Sequence, residues 1–245
     1  MEFHDRTAIV TGAGSGMGRL ASEKLAEGGA RVVVVDVDPT AAETVVTSIR
    51  DSGGEATAAV ADVRDYRQVE AAVGLAIETY GGVDVLVNSA GGAAQRVFGR
   101  TESWKDLPIE VIDWGLDVNL RGAVYFCRAV IGHMLERGKG VIISMGSVEG
   151  VTGSYAIEYG AAKSGLIGLT KSLALYGAPH GVRACCVSPG PVLTRPAMAT
   201  MKTRLGRAAE PIEIVDLILY LCSDKAAFIT GQNYTIDGGR SIGGL

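Results

Sequence analysis

The sequence lacks any long run of apolar residues, although apolar side chains make up 47% of its 245 positions. A helix that spans a bilayer needs about 20 apolar residues in succession, and the apolar run at residues 32–35 is far shorter. The first six residues lead directly into a strand-like pattern without an apolar leader. We therefore expect no membrane partner and no signal peptide, and we expect a cytoplasmic protein.

Cysteine and histidine are also scarce, and their placement argues against two kinds of catalytic centre. The four cysteines fall in predicted core segments without the spacing of a metal site. The three histidines are widely separated and form no Ser/His/Asp pattern. We expect no metal and interpret the cysteines as small buried side chains in a reducing compartment.

A basic surface is missing as well. The formal net charge is −4 and the sequence pI is about 5.5, whereas a domain that binds duplex nucleic acid usually carries a basic stripe. The expected partner is a small-molecule substrate, not nucleic acid.

Short apolar segments alternate with stretches of helical periodicity along the chain. The strand-like segments are residues 7–11, 31–36, 55–61, 83–88, 140–145, 182–188 and 233–236. The helical segments are residues 18–27, 41–50, 67–80, 121–137, 158–176 and 212–221. Continuous apolar strands separated by helices are typical of a parallel sheet covered on both faces. We predict a single-domain, Rossmann-like, doubly wound α/β fold over residues 1–245, with a seven-stranded, mostly parallel sheet flanked by helices.

Two segments lack clear periodicity, at residues 91–107 and 189–211. Both follow predicted strands, so both should emerge at the carboxyl edge of the sheet, where such folds bind ligands. We interpret them as substrate loops. Our hypothesis is an open site whose wall is built partly by residues 95–104, instead of a full lid at residues 195–206.

A glycine-rich turn joins the first predicted strand to the first helix at residues 11–18. Backbone without side chains lets a phosphate approach closely, and unpaired N–H groups at the start of a helix bind it. The predicted cofactor contacts in this turn are Gly12, Ser15, Gly16, Met17 and Gly18.

Asp36 ends the second predicted strand, 18 residues beyond Gly18. An acidic side chain at this place hydrogen-bonds the adenosine ribose of NAD, and its charge repels the additional phosphate of NADP. We therefore predict NAD in preference to NADP; the alternative is that Asp36 merely caps a turn. Asp62 and Val63, after the third strand, are predicted contacts of the adenine.

Tyr159 and Lys163 lie four residues apart at the start of a helical pattern, so they share one face of the helix. A free tyrosine has a pKa near 10 and is a poor base at neutral pH. A nearby cation lowers the pKa of a phenol, which makes Tyr159 a candidate acid and base for an alcohol/ketone pair.

Five segments, taken together, resemble those of a known family. They are the turn at residues 11–18; Asn88-Ser89-Ala90-Gly91; the set Asn119, Ser147, Tyr159 and Lys163; Ser188-Pro189-Gly190 with Thr194; and Ile229-Thr230-Gly231-Gln232 with Asp237-Gly238-Gly239. In this order they resemble the short-chain dehydrogenase/reductase family over nearly the whole chain. Ser89 replaces the second asparagine of the family's Asn-Asn-Ala-Gly segment.

The resemblance implies a catalytic role for each member of the set. Ser147 would stabilise the reacting oxygen, and Lys163 would bind the nicotinamide ribose and lower the pKa of Tyr159. Asn119 would interrupt its helix and hold a water that relays protons. Further implied cofactor contacts are Asn88, Ala90, Gly91, Tyr159, Lys163, Pro189, Gly190, Val192 and Thr194. The resemblance also implies a homotetramer or homodimer built on the helices at residues 121–137 and 158–176 and on the C-terminal strand.

Several residues near the predicted site keep two interpretations. Glu149 either orients a polar substrate or is simply solvated. Tyr155 is interpreted as a wall of the pocket, because no lysine follows it at helical spacing. Arg96, Arg195 and Lys202 either contact an anionic group or face water.

Four functional hypotheses follow from the sequence. The leading hypothesis is an NAD-linked dehydrogenase of a secondary alcohol and its ketone. A 3-oxoacyl thioester reductase is the alternative, although reductive biosynthesis usually uses NADPH. A nucleotide-binding regulator without chemistry is a third hypothesis, and an epimerase or dehydratase is less favoured. The substrate itself is not predicted.

Overall fold

The predicted strands pair into one sheet with the order β3-β2-β1-β4-β5-β6-β7. The structure is a computed structural model that describes residues 2–242, so the ends of the predicted unit at residues 1 and 243–245 lie outside it. The strands are β1 (Thr7–Thr11), β2 (Arg31–Asp36), β3 (Glu55–Val60), β4 (Val85–Asn88), β5 (Gly140–Met145), β6 (Val182–Pro189) and β7 (Asn233–Ile236). The predicted seven-stranded, doubly wound fold is confirmed, and each strand pairing is parallel.

Both faces of the sheet are buried because successive residues of a strand point to opposite sides. In β2, Val34 belongs to one apolar cluster and Val35 to the other. The first cluster contains Leu25 and Ile214, and the second contains Phe126. This two-sided burial explains why the central strands have continuous apolar sequences.

Helices pack on both sides of the sheet. They are α1 (Gly16–Glu27), α2 (Pro39–Asp51), α3 (Tyr66–Tyr80), α4 (Ala94–Val97), α5 (Ile109–Leu116), α6 (Gly122–Arg137), α7 (Glu149–Thr152), α8 (Ile157–Gly177) and α9 (Pro211–Cys222). The start of α2 shows how the sequence sets a boundary: the Asp38 carboxylate accepts hydrogen bonds from the N–H groups of Thr40 and Ala41. Within residues 2–242, none of the helices has the length and hydropathy needed to cross a membrane.

The strand order places the functional loops together. The chain leaves β1 towards β2 on one side and later returns to β4 on the other, which opens a crevice at the carboxyl ends of β1 and β4. The strands β4, β5 and β6 are neighbours, so the loops that follow them lie side by side. The two predicted substrate loops follow β4 and β6, and they therefore flank the loop after β5.

Candidate active site

A cleft of about 720 Å³ opens at the carboxyl edge of the sheet. Most of the predicted site residues line it: Gly12, Ser15, Gly16, Met17, Gly18, Asp36, Asp62, Val63, Ala90, Gly91, Ser147, Tyr159, Lys163, Pro189, Gly190, Val192 and Thr194. Asn88 and Asn119 are buried beside the cleft and do not form its wall. The fold thus gathers residues from almost the full length of the chain into one site.

The glycine turn is packed so tightly that side chains would not fit at two of its positions. A Cβ atom on Gly12 would lie 2.7 Å from the Cα of Ala90, and one on Gly18 would overlap the carbonyl oxygen of Gly12. The side chain of Ser15, the N-cap of α1, makes no capping hydrogen bond. The start of α1 therefore presents backbone N–H groups to the cleft, an arrangement that fits the pyrophosphate of a dinucleotide.

Asp36 lines the cleft at the end of β2, and its carboxylate also holds the turn. One oxygen accepts a hydrogen bond from the N–H of Gly14 over 2.8 Å, and the other accepts from the N–H of Asp38 over 3.0 Å. This position suits a carboxylate that contacts ribose hydroxyls.

Asp62 lies further along the same side of the cleft and forms an ion pair with Arg64. Hydrogen bonds from the Arg64 guanidinium lower the pKa of Asp62 below its usual value. Arg64 is a cation that the sequence interpretation did not include in the site. Its guanidinium is paired with the Asp62 carboxylate.

Tyr159 lies in the first turn of α8 and projects into the cleft beside Ser147. Burial raises the pKa of the Tyr159 phenol above its ordinary value, while a hydrogen bond with the Ser147 side chain opposes this effect. The Ser147 hydroxyl oxygen also accepts from the N–H of Glu149 over 3.1 Å. The Glu149 carboxylate accepts from the hydroxyl of Ser154 over 2.6 Å, and its charge further raises the pKa of Tyr159.

Lys163 was expected to lower the pKa of Tyr159, but it is not among the groups that shift this pKa. The Lys163 ammonium donates to the carbonyl oxygen of Met145 over 2.7 Å and lies 5.5 Å from the centre of the Tyr159 ring. It is therefore directed to the end of β5, and burial of the phenol dominates the pKa. Burial also lowers the pKa of Lys163 itself to about 8.

Asn119 lies in a π-helical segment (Asp117–Arg121) between α5 and α6, which confirms the expected interruption of the helix. Its side-chain oxygen accepts from the N–H of Gly92, and its amide group donates to the carbonyl oxygens of Gly92 and Gly115. Asn119 thereby holds the loop after β4 against α5. Asn88 points elsewhere: its amide group donates to the sulfur of Cys127 over 3.4 Å.

One expectation about the substrate side requires correction. Tyr155 is fully exposed and does not line the cleft, because its backbone lies in the loop before α8 begins. Both substrate loops contribute residues to the wall of the cleft. Residues 95–104 contribute Arg96 and Val97, and residues 195–206 contribute Arg195, Met198 and Met201.

Trp114 also lines the cleft and was not predicted as a site residue. It lies in α5, which the sequence interpretation missed, and its ring meets that of Phe98 edge to face at 5.4 Å. A signal for this helix was present, since Pro108 immediately precedes it and proline favours the start of a helix.

Comparisons with known proteins agree with this architecture. Residues 12–241 match a family model described as enoyl-(acyl carrier protein) reductase. The chain is 36% identical to cyclohexanol dehydrogenase of an Acinetobacter species, over 97% of this chain and 95% of the relative. It superposes on the crystal structure of a short-chain type dehydrogenase/reductase from Mycobacterium marinum with a TM-score of 0.91 at 31% identity, covering 99% of this chain and 97% of the other.

A second similar solved structure is a 7α-hydroxysteroid dehydrogenase in complex with NADH and 7-oxo glycochenodeoxycholic acid. The TM-score is 0.89 at 28% identity, over 98% of this chain and 95% of that one.

Proposed function

The chain belongs to the short-chain dehydrogenase/reductase family, and we propose that it is an NAD(H)-dependent oxidoreductase that interconverts a secondary alcohol and a ketone. The observation that carries this proposal is the position of Ser147 and Tyr159 in the same cleft as the glycine turn and Asp36. A proton-transfer group thus stands beside a dinucleotide site.

In this proposal, oxidation removes a hydride from the carbinol carbon and a proton from its hydroxyl group. A bound nicotinamide would supply the hydride acceptor, and the phenolate form of Tyr159 would accept the proton. Ser147 donates a hydrogen bond to the substrate oxygen and stabilises its partial charge. In the reverse direction the neutral phenol of Tyr159 donates its proton to the ketone oxygen, a role favoured at neutral pH by its raised pKa.

The preference for NAD is proposed on the charge of Asp36. Its carboxylate lines the cleft at the end of β2, and the cation Arg64, which lines the same cleft, is paired with Asp62. A ribose that carries an additional phosphate would meet the negative charge of Asp36 there.

The test is a panel of secondary alcohols and ketones, assayed with NAD(H) and NADP(H) by the absorbance of the reduced nicotinamide. We expect turnover with NAD(H), and a loss of about 100- to 10,000-fold in kcat for Tyr159→Phe. Tyr155→Phe is the matched control, because Tyr155 is exposed away from the cleft. Binding of NADH without turnover of any substrate would contradict the proposal and favour a regulator.

The 3-oxoacyl thioester reductase remains the second candidate, since the matching family model is described by an acyl-carrier-protein substrate. A carrier protein would need exposed cations for docking, but Arg137 and Lys139, at the end of α6 and before β5, both form ion pairs with the buried Asp84. Asp84 and Lys139 directly precede β4 and β5, so this cluster lies at the edge of the sheet opposite the cleft. Preferential turnover of an acetoacetyl thioester with NADPH would nevertheless favour this candidate.

We further propose that residues 1–245 act as one catalytic and dinucleotide-binding domain, with substrate loops at residues 91–107 and 189–211, in a cytoplasmic homotetramer or homodimer. Exposed apolar side chains on α8, at Ile157, Leu175 and Tyr176, support assembly through this helix. The four unpaired thiols suit a reducing compartment. Light scattering during size-exclusion chromatography tests the assembly, and a monomeric mass would contradict it.

A further inference from the structure

Two arginines on the substrate side of the cleft come from loops that are far apart in sequence. Arg96 lies in α4, which follows β4, and Arg195 lies in the loop that follows β6. Because β5 lies between these strands, the two loops flank the one that carries Ser147. Both arginines line the cleft together with Tyr159.

The guanidinium of Arg96 lies close to the backbone of Gly92, in the loop after β4. A Cβ atom on Gly92 would be 2.7 Å from its Nη2 atom. Gly92 is in turn hydrogen-bonded to Asn119 through both its N–H and its carbonyl group. This contact places a positive charge next to the loop that Asn119 holds.

Neither arginine is neutralised by the part of the chain that the structure describes. Arg195 contacts only a soft acceptor there, the sulfur of Met198 at 3.7 Å. By contrast, Arg64, in the same cleft, is paired with a carboxylate. The carboxylate of Glu149, which also lines the cleft, is hydrogen-bonded to Ser154 and forms no ion pair with either arginine within residues 2–242.

The two positive charges also act on one another and on the phenol. Burial lowers the pKa of Arg96, and the charge of Arg195 lowers it further. Both cations lower the pKa of Tyr159, against the dominant effect of burial. Two like charges that converge without a counterion favour the binding of an anion.

We propose that the substrate carries an anionic group, which Arg96 and Arg195 bind while its secondary alcohol or ketone lies at Tyr159. This inference rests on the proposed oxidoreductase function and narrows its substrate class. Guanidinium groups bind carboxylates, sulfonates and phosphates through paired hydrogen bonds. Apolar side chains of Val97, Trp114 and Met198 line the same wall, so the substrate joins the anion to an apolar body.

The experiment compares matched substrates that differ in one group. The probes are methyl phenyl carbinols whose ring bears a para carboxylate, sulfonate, phosphate ester or neutral carboxamide, and short hydroxyalkanoates with their amides. We expect kcat/KM for at least one anionic substrate to exceed that for the corresponding neutral amide substrate by about tenfold or more. The most favoured of the three anions then identifies the type of group.

Variants assign the preference to the two arginines. Arg96→Gln and Arg195→Gln should each reduce the ratio of anionic to neutral turnover by about tenfold or more. Lys202→Gln is the matched control, because Lys202 is a cation of the same loop as Arg195 but does not line the cleft. Its ratio should not change. The affinity of each variant for NADH is measured by fluorescence titration.

The outcomes separate this inference from the proposed function. Turnover of neutral and anionic alcohols at equal efficiency would overturn the anion site and leave the oxidoreductase intact. A loss of NADH affinity in the arginine variants, with the anion preference retained, would assign the arginines to the cofactor and also overturn it. If no alcohol is turned over, the proposed function fails, and the anion site is tested by calorimetry instead. Tighter binding of benzoate than of benzamide by the wild type, with this preference lost in both arginine variants, would support the site.

Discussion

The ammonium group of Lys163 donates a hydrogen bond to the carbonyl oxygen of Met145, the last residue of β5, over 2.7 Å. This contact ties α8 to the sheet from inside the site, and Lys163 is almost completely buried. A buried ammonium with one neutral acceptor loses hydration that the carbonyl only partly replaces. Its pKa is therefore about 8, below the ordinary value of 10.5.

This shift predicts how the stability depends on pH. Between about pH 8 and 10.5 the unfolded chain keeps the proton of Lys163 while the folded chain has released it. Because the unfolded state binds more protons there, the contribution of Lys163 to the free energy of unfolding rises with pH through this window. The test is urea unfolding of the wild type and of Lys163→Met at several pH values between about 8 and 10.5. As the pH rises, the free energy of unfolding of the wild type should increase relative to that of the variant. A difference that is independent of pH would contradict the buried, shifted ammonium.

The charge of Asp36 should control the choice of cofactor. Asp36→Asn keeps an oxygen that can accept from the N–H of Gly14 but removes the negative charge. We expect the ratio of kcat/KM for NADP to that for NAD to rise by about tenfold or more, because the added phosphate is no longer repelled. Asp38→Asn is the control, since Asp38 is also acidic but caps α2. An equal change in both variants would show that the effect is not specific to Asp36.

The close approach at Gly18 should make this position intolerant of a side chain. In Gly18→Ala the added methyl group would overlap the carbonyl oxygen of Gly12 and displace the cofactor turn. We expect a loss of about 1–3 kcal/mol in the free energy of unfolding, together with weaker binding of NADH. Gly74→Ala, in α3, is the matched variant because a Cβ atom there meets nothing within 4 Å. It should be neutral or stabilising by about 0.5–1 kcal/mol. Equal unfolding free energies and NADH affinities in the two variants would mean that the turn accommodates the added methyl group without cost.

Glu158 is predicted to cost stability. Only 2% of its surface is exposed, and neither carboxylate oxygen has a hydrogen-bond partner within residues 2–242. Its side chain packs on Gly115 of α5, where an added Cβ atom would lie 2.7 Å from the Cγ of Glu158. Replacement by methionine should raise the free energy of unfolding by about 1–3 kcal/mol, because an unpartnered polar group leaves the interior. Glu43→Met, at an exposed position of α2, should change it by less than about 0.5 kcal/mol. A destabilised Glu158→Met would instead indicate that the carboxylate has a stabilising partner, such as an ordered water.

The elements could be predicted because their signals are local. The predicted end of β3 at residue 61 is one position late, and the predicted start of β4 at residue 83 is two positions early. Both differences arise because the apolar runs extend slightly beyond the paired residues. The predicted start of α2 at residue 41 is two positions late, because the first turn contains Pro39 and precedes the apolar periodicity. The helix α5 was missed between a long irregular loop and the interrupted helix at Asn119.

The sequence by itself determined the order of the strands and of the six longest helices, the glycine turn before α1, and the spacing that puts Tyr159 and Lys163 on one helical face. These features depend on neighbours within one or two turns of chain. Only the tertiary structure decided that burial raises the pKa of Tyr159, that Tyr155 lies in solvent, and that Lys163 is directed to Met145. It also decided that Arg96 and Arg195 line one cleft. Such results depend on the parallel order of β4, β5 and β6, which brings together loops that are about a hundred residues apart.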